Sequence, residues 1–253
     1  MFTFFVIPVF TPTRVKKFLF VTGTDTGAGK TVLTAMLLAF LRRCGGGALA
    51  MKPFCSGSRG DARLLLSLQR ECLTLDDVNP FYFHRPLAPA AASGRGPGVS
   101  RRAALEQIRL LAGRCDLLVV EGVGGLMTPL GKDYTIRDII RRLHGKTIVV
   151  CRNRLGAINH VVLTAESLQS AGIKEFTVVM MGVRKPDISA GSNARMIRQM
   201  LPLTPVFSVP FLGFRASTAR AAKENAKYLK KTLAHLVGGD ILRMFFHRKK
   251  RVG

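Results

Sequence analysis

The feature of this sequence that most constrains its fold is a glycine-rich loop between a short apolar run and an amphipathic segment. The loop spans residues 23–31, reads Gly-Thr-Asp-Thr-Gly-Ala-Gly-Lys-Thr and directly follows the apolar residues 18–22. Residues 31–43 then place apolar side chains at helical spacing. Glycines let backbone N–H groups turn towards an anion, and a helix N-terminus adds partial positive charge. This order predicts a phosphate-binding loop.

The end of the loop carries the residues that a nucleotide site needs. Lys30 has the length to reach the β- and γ-phosphates, and the Thr31 hydroxyl is suited to Mg²⁺. Five residues separate Gly23 from Gly29, where the common pattern has four. The loop is therefore a variant of the nucleoside triphosphate motif.

Short apolar runs alternate with segments of helical spacing along the chain. The runs are nearly continuous and rich in Phe and β-branched residues, which is typical of strands buried on both faces. The predicted strands cover residues 18–22, 48–51, 117–120, 147–151, 176–181 and 206–209. The predicted helices cover residues 31–43, 102–114, 135–143, 157–171, 192–201 and 217–236. This alternation predicts an α/β fold, a P-loop NTPase-like mostly parallel sheet with helices on both faces in a single domain.

The composition supports one sizeable core. Of 253 residues, 47% are hydrophobic, which excludes a disordered or collagen-like chain. No run reaches about 18 consecutive apolar residues, so no transmembrane helix is predicted. Five scattered cysteines without a Cys-x-x-Cys pair indicate a reducing, cytoplasmic location. We expect the domain over residues 17–238, after a poorly ordered extension at 1–16 and before a basic tail at 239–253.

The charge balance is strongly basic. The chain has 39 Lys and Arg against 15 Asp and Glu, a formal net charge of +24. Such a charge favours polyanions such as nucleic acids through counterion release, and it equally suits small anionic ligands such as phosphates. Net charge therefore leaves the class of partner open.

A second motif supplies acidic residues for a metal. Asp116 and Glu121 bracket an apolar run, and Gly122 and Gly124 follow it. Ligands of open α/β sheets gather at the carboxyl ends of the strands, where Glu121 is expected. The glycines allow the backbone to approach a ligand closely. Together with the phosphate loop, this motif predicts a nucleoside triphosphate site.

Several motifs occur here in the order and spacing of one enzyme family. They are the loop at 23–31, Lys-Pro-Phe-Cys-Ser-Gly at 52–57, Asp61, Glu-Gly-Val-Gly-Gly at 121–125, Leu-Gly-Ala-Ile-Asn-His at 155–160, Asn79-Pro80 and Pro210-Phe211-Leu212. In these motifs the sequence resembles the dethiobiotin synthetase family, from about residue 18 to about residue 228. The joint occurrence of the motifs is far more specific than any one of them.

The resemblance implies an ATP- and Mg²⁺-dependent cyclo-ligase of biotin biosynthesis. The family joins CO₂ to 7,8-diaminononanoate (7,8-diaminopelargonate) and closes the ureido ring, which gives dethiobiotin, ADP and phosphate. A carbamate and a triphosphate are both anionic, so bringing them together requires positive charge. By resemblance, Lys52 and Lys30 supply that charge as catalytic residues. The family also implies a homodimer with small-molecule substrates and without a membrane partner.

The resemblance assigns binding roles to further residues. Mg²⁺ would be held by Thr31, Asp61 and Glu121. The substrate would contact Thr26, Ser56, Leu155, Gly156 and Asn159, the last three across a dimer interface. ATP would contact Gly27, Ala28, Gly29, Lys30, Thr31, Val32, Asp61, Glu121, Gly122, Val123, Gly124, Met181, Gly182, Pro210, Phe211 and Leu212. Taken alone, Asp61 is also predicted as the N-cap of a helix over residues 62–72.

The sequence departs from the family pattern at the nucleotide base. Met181-Gly182 stands where the family commonly has an asparagine that binds adenine. Methionine packs on a purine face but lacks the paired hydrogen bonds of an amide. We therefore expect weaker base selectivity, with GTP or CTP supporting turnover. The loop between Ser56 and Asp61 is also short.

Other P-loop proteins remain as alternatives to the ligase. A DNA-associated partition-type ATPase would explain the basic charge, but its extra loop lysine is matched here by Asp25, which disfavours nucleic acid as the partner. A corrinoid amidoligase would need a further glutamine-cleaving domain, for which 253 residues leave no room. Intact Lys30, Lys52 and Glu121 argue against a degenerate P-loop protein without turnover.

Overall fold

The strands form one large and one small parallel sheet in this computed structural model, which describes residues 17–69 and 73–249. The strands are β1 (Phe18–Gly23), β2 (Ala48–Met51), β3 (Phe54–Ser56), β4 (Phe81–Phe83), β5 (Leu117–Glu121), β6 (Lys146–Arg152), β7 (Phe176–Met181) and β8 (Val206–Val209). The large sheet has six strands in the order β2-β5-β1-β6-β7-β8. All its neighbouring strands are parallel, as the alternation of runs predicts.

Helices cover both faces of the large sheet. They are α1 (Lys30–Arg43), α2 (Gly60–Ser67), α3 (Leu75–Val78), α4 (Pro89–Ala92), α5 (Arg101–Ala112), α6 (Ile136–Leu143), α7 (Ala157–Ser170), α8 (Asn193–Met200), α9 (Ala219–Tyr228), α10 (Lys230–Val237) and α11 (Gly239–Lys249), with a 3₁₀ turn at Ile188–Gly191. Successive residues of β1 enter different cores: Leu19 and Val21 pack on one face and Phe20 on the other. This two-sided burial explains why the strands are apolar throughout. The predicted α/β fold is confirmed.

Three details differ from the sequence expectations. The small sheet of β3 and β4 was not predicted, because strands of three residues are too short to show a periodic pattern of apolar residues. The helix expected at 217–236 is divided at Leu229 into α9 and α10. The helix expected at 62–72 begins at Gly60 with Arg59 as its N-cap residue, so Asp61 lies in the first turn and is not the cap. Residues 70–72 lie outside the described residues.

The C-terminal segment continues the domain beyond the expected boundary at residue 238. Helix α11 covers most of the segment that was predicted to be a basic tail. Its residues Ile241 and Phe245 are fully buried in the same core cluster as the apolar residues of α1. Phe245 lies against Gly46, where any side chain would collide with its ring. The expected extension at 1–16 lies outside the described residues. Among the described residues, no helix is both long and apolar enough to span a bilayer.

Candidate active site

The phosphate loop lies between the end of β1 and the start of α1, at the carboxyl edge of the sheet. Gly27 and Gly29 have φ values of +69° and +99°, which explains why glycine occupies both positions. Lys30 folds back over the loop, where its Nζ donates to the backbone oxygens of Asp25 (2.8 Å) and Gly124. Burial lowers the pKa of Lys30 to about 8, against the opposing effect of Glu121. An anion in the loop would oppose the effect of burial and favour the ammonium form.

Lys52 and Glu121 form the centre of a buried polar cluster. The Lys52 Nζ donates to Glu121 Oε1 at 2.9 Å and to Asp61 Oδ2, and the Thr31 hydroxyl donates to the same Glu121 oxygen at 2.6 Å. The exposed fraction of the side chain is 8% for Lys52 and 0% for Glu121. Burial alone would lower the pKa of Lys52, but Glu121 and then Asp61 outweigh it and raise that pKa above its usual value. Lys52 is therefore an ammonium ion at neutral pH.

Strand register explains why residues so far apart in sequence meet. Met51 of β2 pairs with Val120 of β5, so the next residues, Lys52 and Glu121, emerge side by side at the carboxyl edge. Asn79 then holds the backbone after β2, because its amide donates to the carbonyls of Lys52 (2.9 Å) and Pro53 (3.1 Å). Parallel pairing brings the ends of neighbouring strands to one edge, which is where the site forms.

The oxygen donors of this cluster suit Mg²⁺. Glu121 Oε2 is buried and has no hydrogen-bond partner, so one lone-pair direction of a fully buried carboxylate is unused. Thr31 and Asp61 add a hydroxyl and a second carboxylate through their contacts with Glu121 and Lys52. Among the described residues, no group of three His, Cys, Asp or Glu side chains could hold a metal by itself. Two carboxylates and a hydroxyl leave positions for water and phosphate oxygens, as Mg²⁺ prefers.

A cavity opens directly beside the two lysines. Its volume is about 600 Å³, which is enough for a triphosphate and a small substrate. Predicted site residues line it, namely Thr26, Gly27, Gly29, Lys30, Thr31, Val32, Lys52, Ser56, Asp61, Val123 and Gly124. The Ser56 hydroxyl is buried without a hydrogen-bond partner. That hydroxyl is available to a polar ligand group.

A second cavity adjoins the first across the phosphate loop. Its volume is about 340 Å³, and it shares Gly27, Gly29 and Val32 with the larger cavity. The predicted nucleotide residues Ala28, Met181, Gly182, Pro210, Phe211 and Leu212 line it. Gly182 permits a close approach of β7 and the segment after β8, because a Cβ there would lie 2.6 Å from the Phe211 nitrogen. The two cavities are therefore adjacent, as the phosphate and nucleoside parts of a nucleotide site would be.

Five predicted residues lie outside both cavities within one chain. One of them is Glu121, which is fully buried and bonded to Lys52 and Thr31. Leu155, Gly156 and Asn159 are exposed around the start of α7, and Leu155 is 79% exposed. Gly122 is buried and its N–H is bonded to the Val21 carbonyl at 2.9 Å, so it underlies the site. Its role is to admit close packing, since a Cβ there would lie 3.2 Å from Ile136.

The structure also places residues at the site that the sequence analysis missed. Arg152 and Arg184 line the second cavity, and Thr128 and Ser217 line the first. Arg152 ends β6, three residues before the motif at 155–160, so its position at a strand's carboxyl end was the available signal. No local sequence pattern pointed to Arg184 or Ser217, because tertiary folding brings them to the cavities.

Known proteins resemble this chain along most of its length. A family model described as an AAA domain matches residues 17–213. The ATP-dependent dethiobiotin synthetase BioD of Bacillus subtilis (strain 168) is 35% identical over 84% of this chain and 92% of its own length. The enzyme of the same name from Serratia marcescens is 38% identical over 72% of this chain and 85% of its own.

Solved structures share the fold with far lower sequence identity. The MinD cell division protein of Aquifex aeolicus matches with a TM-score of 0.54 and 16% identity, covering 91% of this chain and 97% of that chain. This likeness shows the fold alone, whereas the sequence relatives carry family information along most of the chain. The chain belongs to the family of ATP-dependent dethiobiotin synthetases.

Proposed function

We propose that this chain is an ATP-dependent ligase that joins CO₂ to 7,8-diaminononanoate and closes the ureido ring of dethiobiotin, releasing ADP and phosphate. The observation that carries the proposal is the buried Lys52 ammonium, bonded to Glu121 and Asp61 and lining the same cavity as Lys30. The relatives bearing the name of this enzyme support the same reaction.

The proposed reaction has three steps. One amine of the diamine captures CO₂ as a carbamate and releases a proton. A carbamate oxygen then takes the γ-phosphoryl group of ATP, and ADP leaves. The second amine attacks the activated carbonyl carbon and releases a proton, the ring closes, and phosphate leaves with the C–O bond electrons. Each step after the first gathers negative charge near the transferred phosphoryl group, which Lys30 and Lys52 offset.

The backbone and side chains divide the binding between them. The N–H groups of Gly27, Ala28 and Gly29 at the start of α1 bind the phosphates. Thr31, Asp61 and Glu121 would hold Mg²⁺, which supplies charge neutralisation of the triphosphate when it is bound. Movement of Lys52 away from Asp61 would free that carboxylate for the metal. The buried Glu121 oxygen without a hydrogen-bond partner supports this assignment of the metal site.

The two cavities suggest where each substrate part binds. The reacting amines would lie in the larger cavity beside Lys52, where Thr26 and Ser56 offer hydroxyl groups. The nucleoside would occupy the second cavity between Met181-Gly182 and the segment Pro210-Phe211-Leu212, with Val32 at the shared wall. Val123 and Gly124 would border the phosphates from the other side.

A homodimer would complete the substrate site. Leu155, Gly156 and Asn159 lie outside both cavities in one chain, so their proposed contact with the substrate's carboxylate tail requires a partner copy. Exposed apolar side chains at Leu155 (79%) and Leu163 (56%) offer a surface that such a partner would cover. We further propose a cytoplasmic enzyme, since Cys55, Cys115 and Cys151 are free thiols.

A reconstitution assay tests the proposed function. The purified chain, 7,8-diaminononanoate, bicarbonate and MgATP should yield dethiobiotin by mass spectrometry and an equal amount of phosphate. Omission of the diamine or of bicarbonate is the matched control and should stop phosphate release. Phosphate release that ignores the diamine but rises with duplex DNA would instead support the partition-type ATPase.

A further inference from the structure

The last residue of β6 lies between the phosphate loop and the second cavity. Arg152 pairs in register with Met181 of β7, and Val150, two residues earlier, pairs with Gly23 at the start of the loop. Arg152 lines the second cavity together with Gly27 and Gly29. Its backbone position is therefore set by the sheet, and its side chain is directed to the boundary between the loop and the cavity.

The guanidinium group lies directly on the phosphate loop. Arg152 Nε donates to the Gly27 carbonyl oxygen at 2.6 Å. A Cβ on Gly27 would lie only 3.0 Å from a terminal nitrogen of the same guanidinium group. The absence of a side chain at Gly27 thus serves two purposes, since it permits a φ of +69° and leaves space for Arg152.

Most of the donor capacity of Arg152 remains available. An arginine side chain carries five N–H donors, and Nε uses one on Gly27. Within residues 17–69 and 73–249, the structure shows no further hydrogen bond from this guanidinium group. The side chain is exposed and lines the second cavity, so its terminal nitrogens are accessible to a ligand there.

We propose that Arg152 is a nucleotide-positioning residue. Its bond to the Gly27 carbonyl fixes the loop peptide whose N–H groups receive phosphate, and its terminal nitrogens donate to the phosphate and sugar oxygens of the bound nucleotide. A guanidinium group suits this position because it donates in several directions at once and stays charged. The inference rests on the proposed function and adds a residue that lies outside the motifs named in the sequence analysis.

Steady-state kinetics and nucleotide binding test this role. Arg152→Ala should raise the KM for ATP and the Kd for ADP by about tenfold or more, the scale of one charge-assisted hydrogen bond, with an unchanged KM for the diamine. Arg152→Lys should recover part of the affinity because it keeps the charge, and Arg152→Gln should recover less. Arg195→Ala removes an exposed arginine of α8 and is the matched control.

The outcomes separate this inference from the proposed function. The Kd for ADP is measured without diamine or bicarbonate, so it does not depend on which product forms. Wild-type dethiobiotin formation together with an unchanged Kd for ADP in Arg152→Ala would overturn the role of Arg152 alone. A fall in Tm and kcat with an unchanged KM for ATP would show a merely structural arginine and would also overturn it.

Discussion

Lys52 Nζ lies 2.9 Å from Glu121 Oε1, although 69 residues separate the two in the sequence. Both side chains are almost completely buried, so each charge depends on the other for compensation. Lys52 is the residue proposed to contact the carbamate, and Glu121 is the carboxylate proposed to bind the metal. The same ion pair is therefore expected to affect both the free energy of unfolding and the catalytic activity.

Replacement of Lys52 should damage both stability and turnover. Lys52→Ala leaves Glu121 as an unpaired buried charge, which is expected to cost about 3–5 kcal/mol in the free energy of unfolding. Loss of the ammonium should lower kcat by about 10²–10³-fold. Urea denaturation and single-turnover dethiobiotin formation measure the two effects.

A double variant separates the two consequences of losing Lys52. Lys52→Met with Glu121→Gln removes both charges while keeping similar volumes, so stability should return towards that of the wild type while activity stays absent. Full activity in Lys52→Ala would contradict the proposed site. An unfolding free energy equal to that of the wild type in Lys52→Ala would contradict the buried pair.

The nucleotide base should be selected weakly. Met181 lines the second cavity, and its side-chain atoms lie 3.0–3.5 Å from where a Cβ on Gly29 would be, but its thioether cannot form paired hydrogen bonds with adenine. We expect GTP or CTP to support appreciable turnover beside ATP. A steep preference for ATP in kcat/KM would remove this expectation.

Introduction of an amide at this position should restore selectivity. A bidentate amide–adenine pair discriminates by about 1–3 kcal/mol, so Met181→Asn should raise the ATP-to-GTP ratio of kcat/KM by about tenfold. Met181→Leu is the matched control, because it keeps the apolar contact and adds no donor. A ratio that rises equally in both variants would show that packing, and not hydrogen bonding, sets base preference.

Asn79 should matter for catalysis without touching a substrate. It is 1% exposed, donates to the carbonyls of Lys52 and Pro53, and accepts from Arg59 Nε at 3.0 Å. Asn79→Ala leaves buried polar groups without partners, at a cost of about 1–3 kcal/mol, and frees the backbone that carries Lys52. We expect kcat to fall more than the KM for ATP rises.

A second partner of Arg59 provides the control for Asn79. Asp76 binds Arg59 at 2.6 Å, but its side chain is 83% exposed. Asp76→Ala should therefore change stability by less than about 1 kcal/mol and leave kcat unchanged. Equal effects of the two substitutions would show that Arg59, and not the placement of Lys52, explains the loss.

The C-terminal helix should contribute to the stability of the domain. Phe245 is 1% exposed in the core beside α1, so Phe245→Ala is expected to cost about 3–5 kcal/mol in the free energy of unfolding. Arg243→Ala, at an exposed position of the same helix, should change stability by less than about 0.5 kcal/mol. Thermal or urea unfolding measures both changes in the free energy of unfolding. Equally small changes in the two variants would show that α11 does not unfold together with the rest of the domain.

Most of the fold could be predicted because its signals are local. Each of the six main strands is a buried apolar run, and the phosphate loop lies between one such run and a helix, so neither needs distant residues to be recognised. Asp61 shows the limit of this reasoning. Its sequence position suggested a helix cap, whereas its side chain reaches Lys52 instead.

The sequence by itself determined the succession of strands and helices along the chain and the phosphate loop, since these depend on short-range spacing, and the resemblance of its motifs indicated the family. Only the tertiary structure decided that Lys52 meets Glu121, that Arg152 lies on Gly27, and that α11 completes a core. Such contacts follow from strand register and from packing across the sheet. Both depend on which segments become neighbours, and separation along the chain carries little information about that.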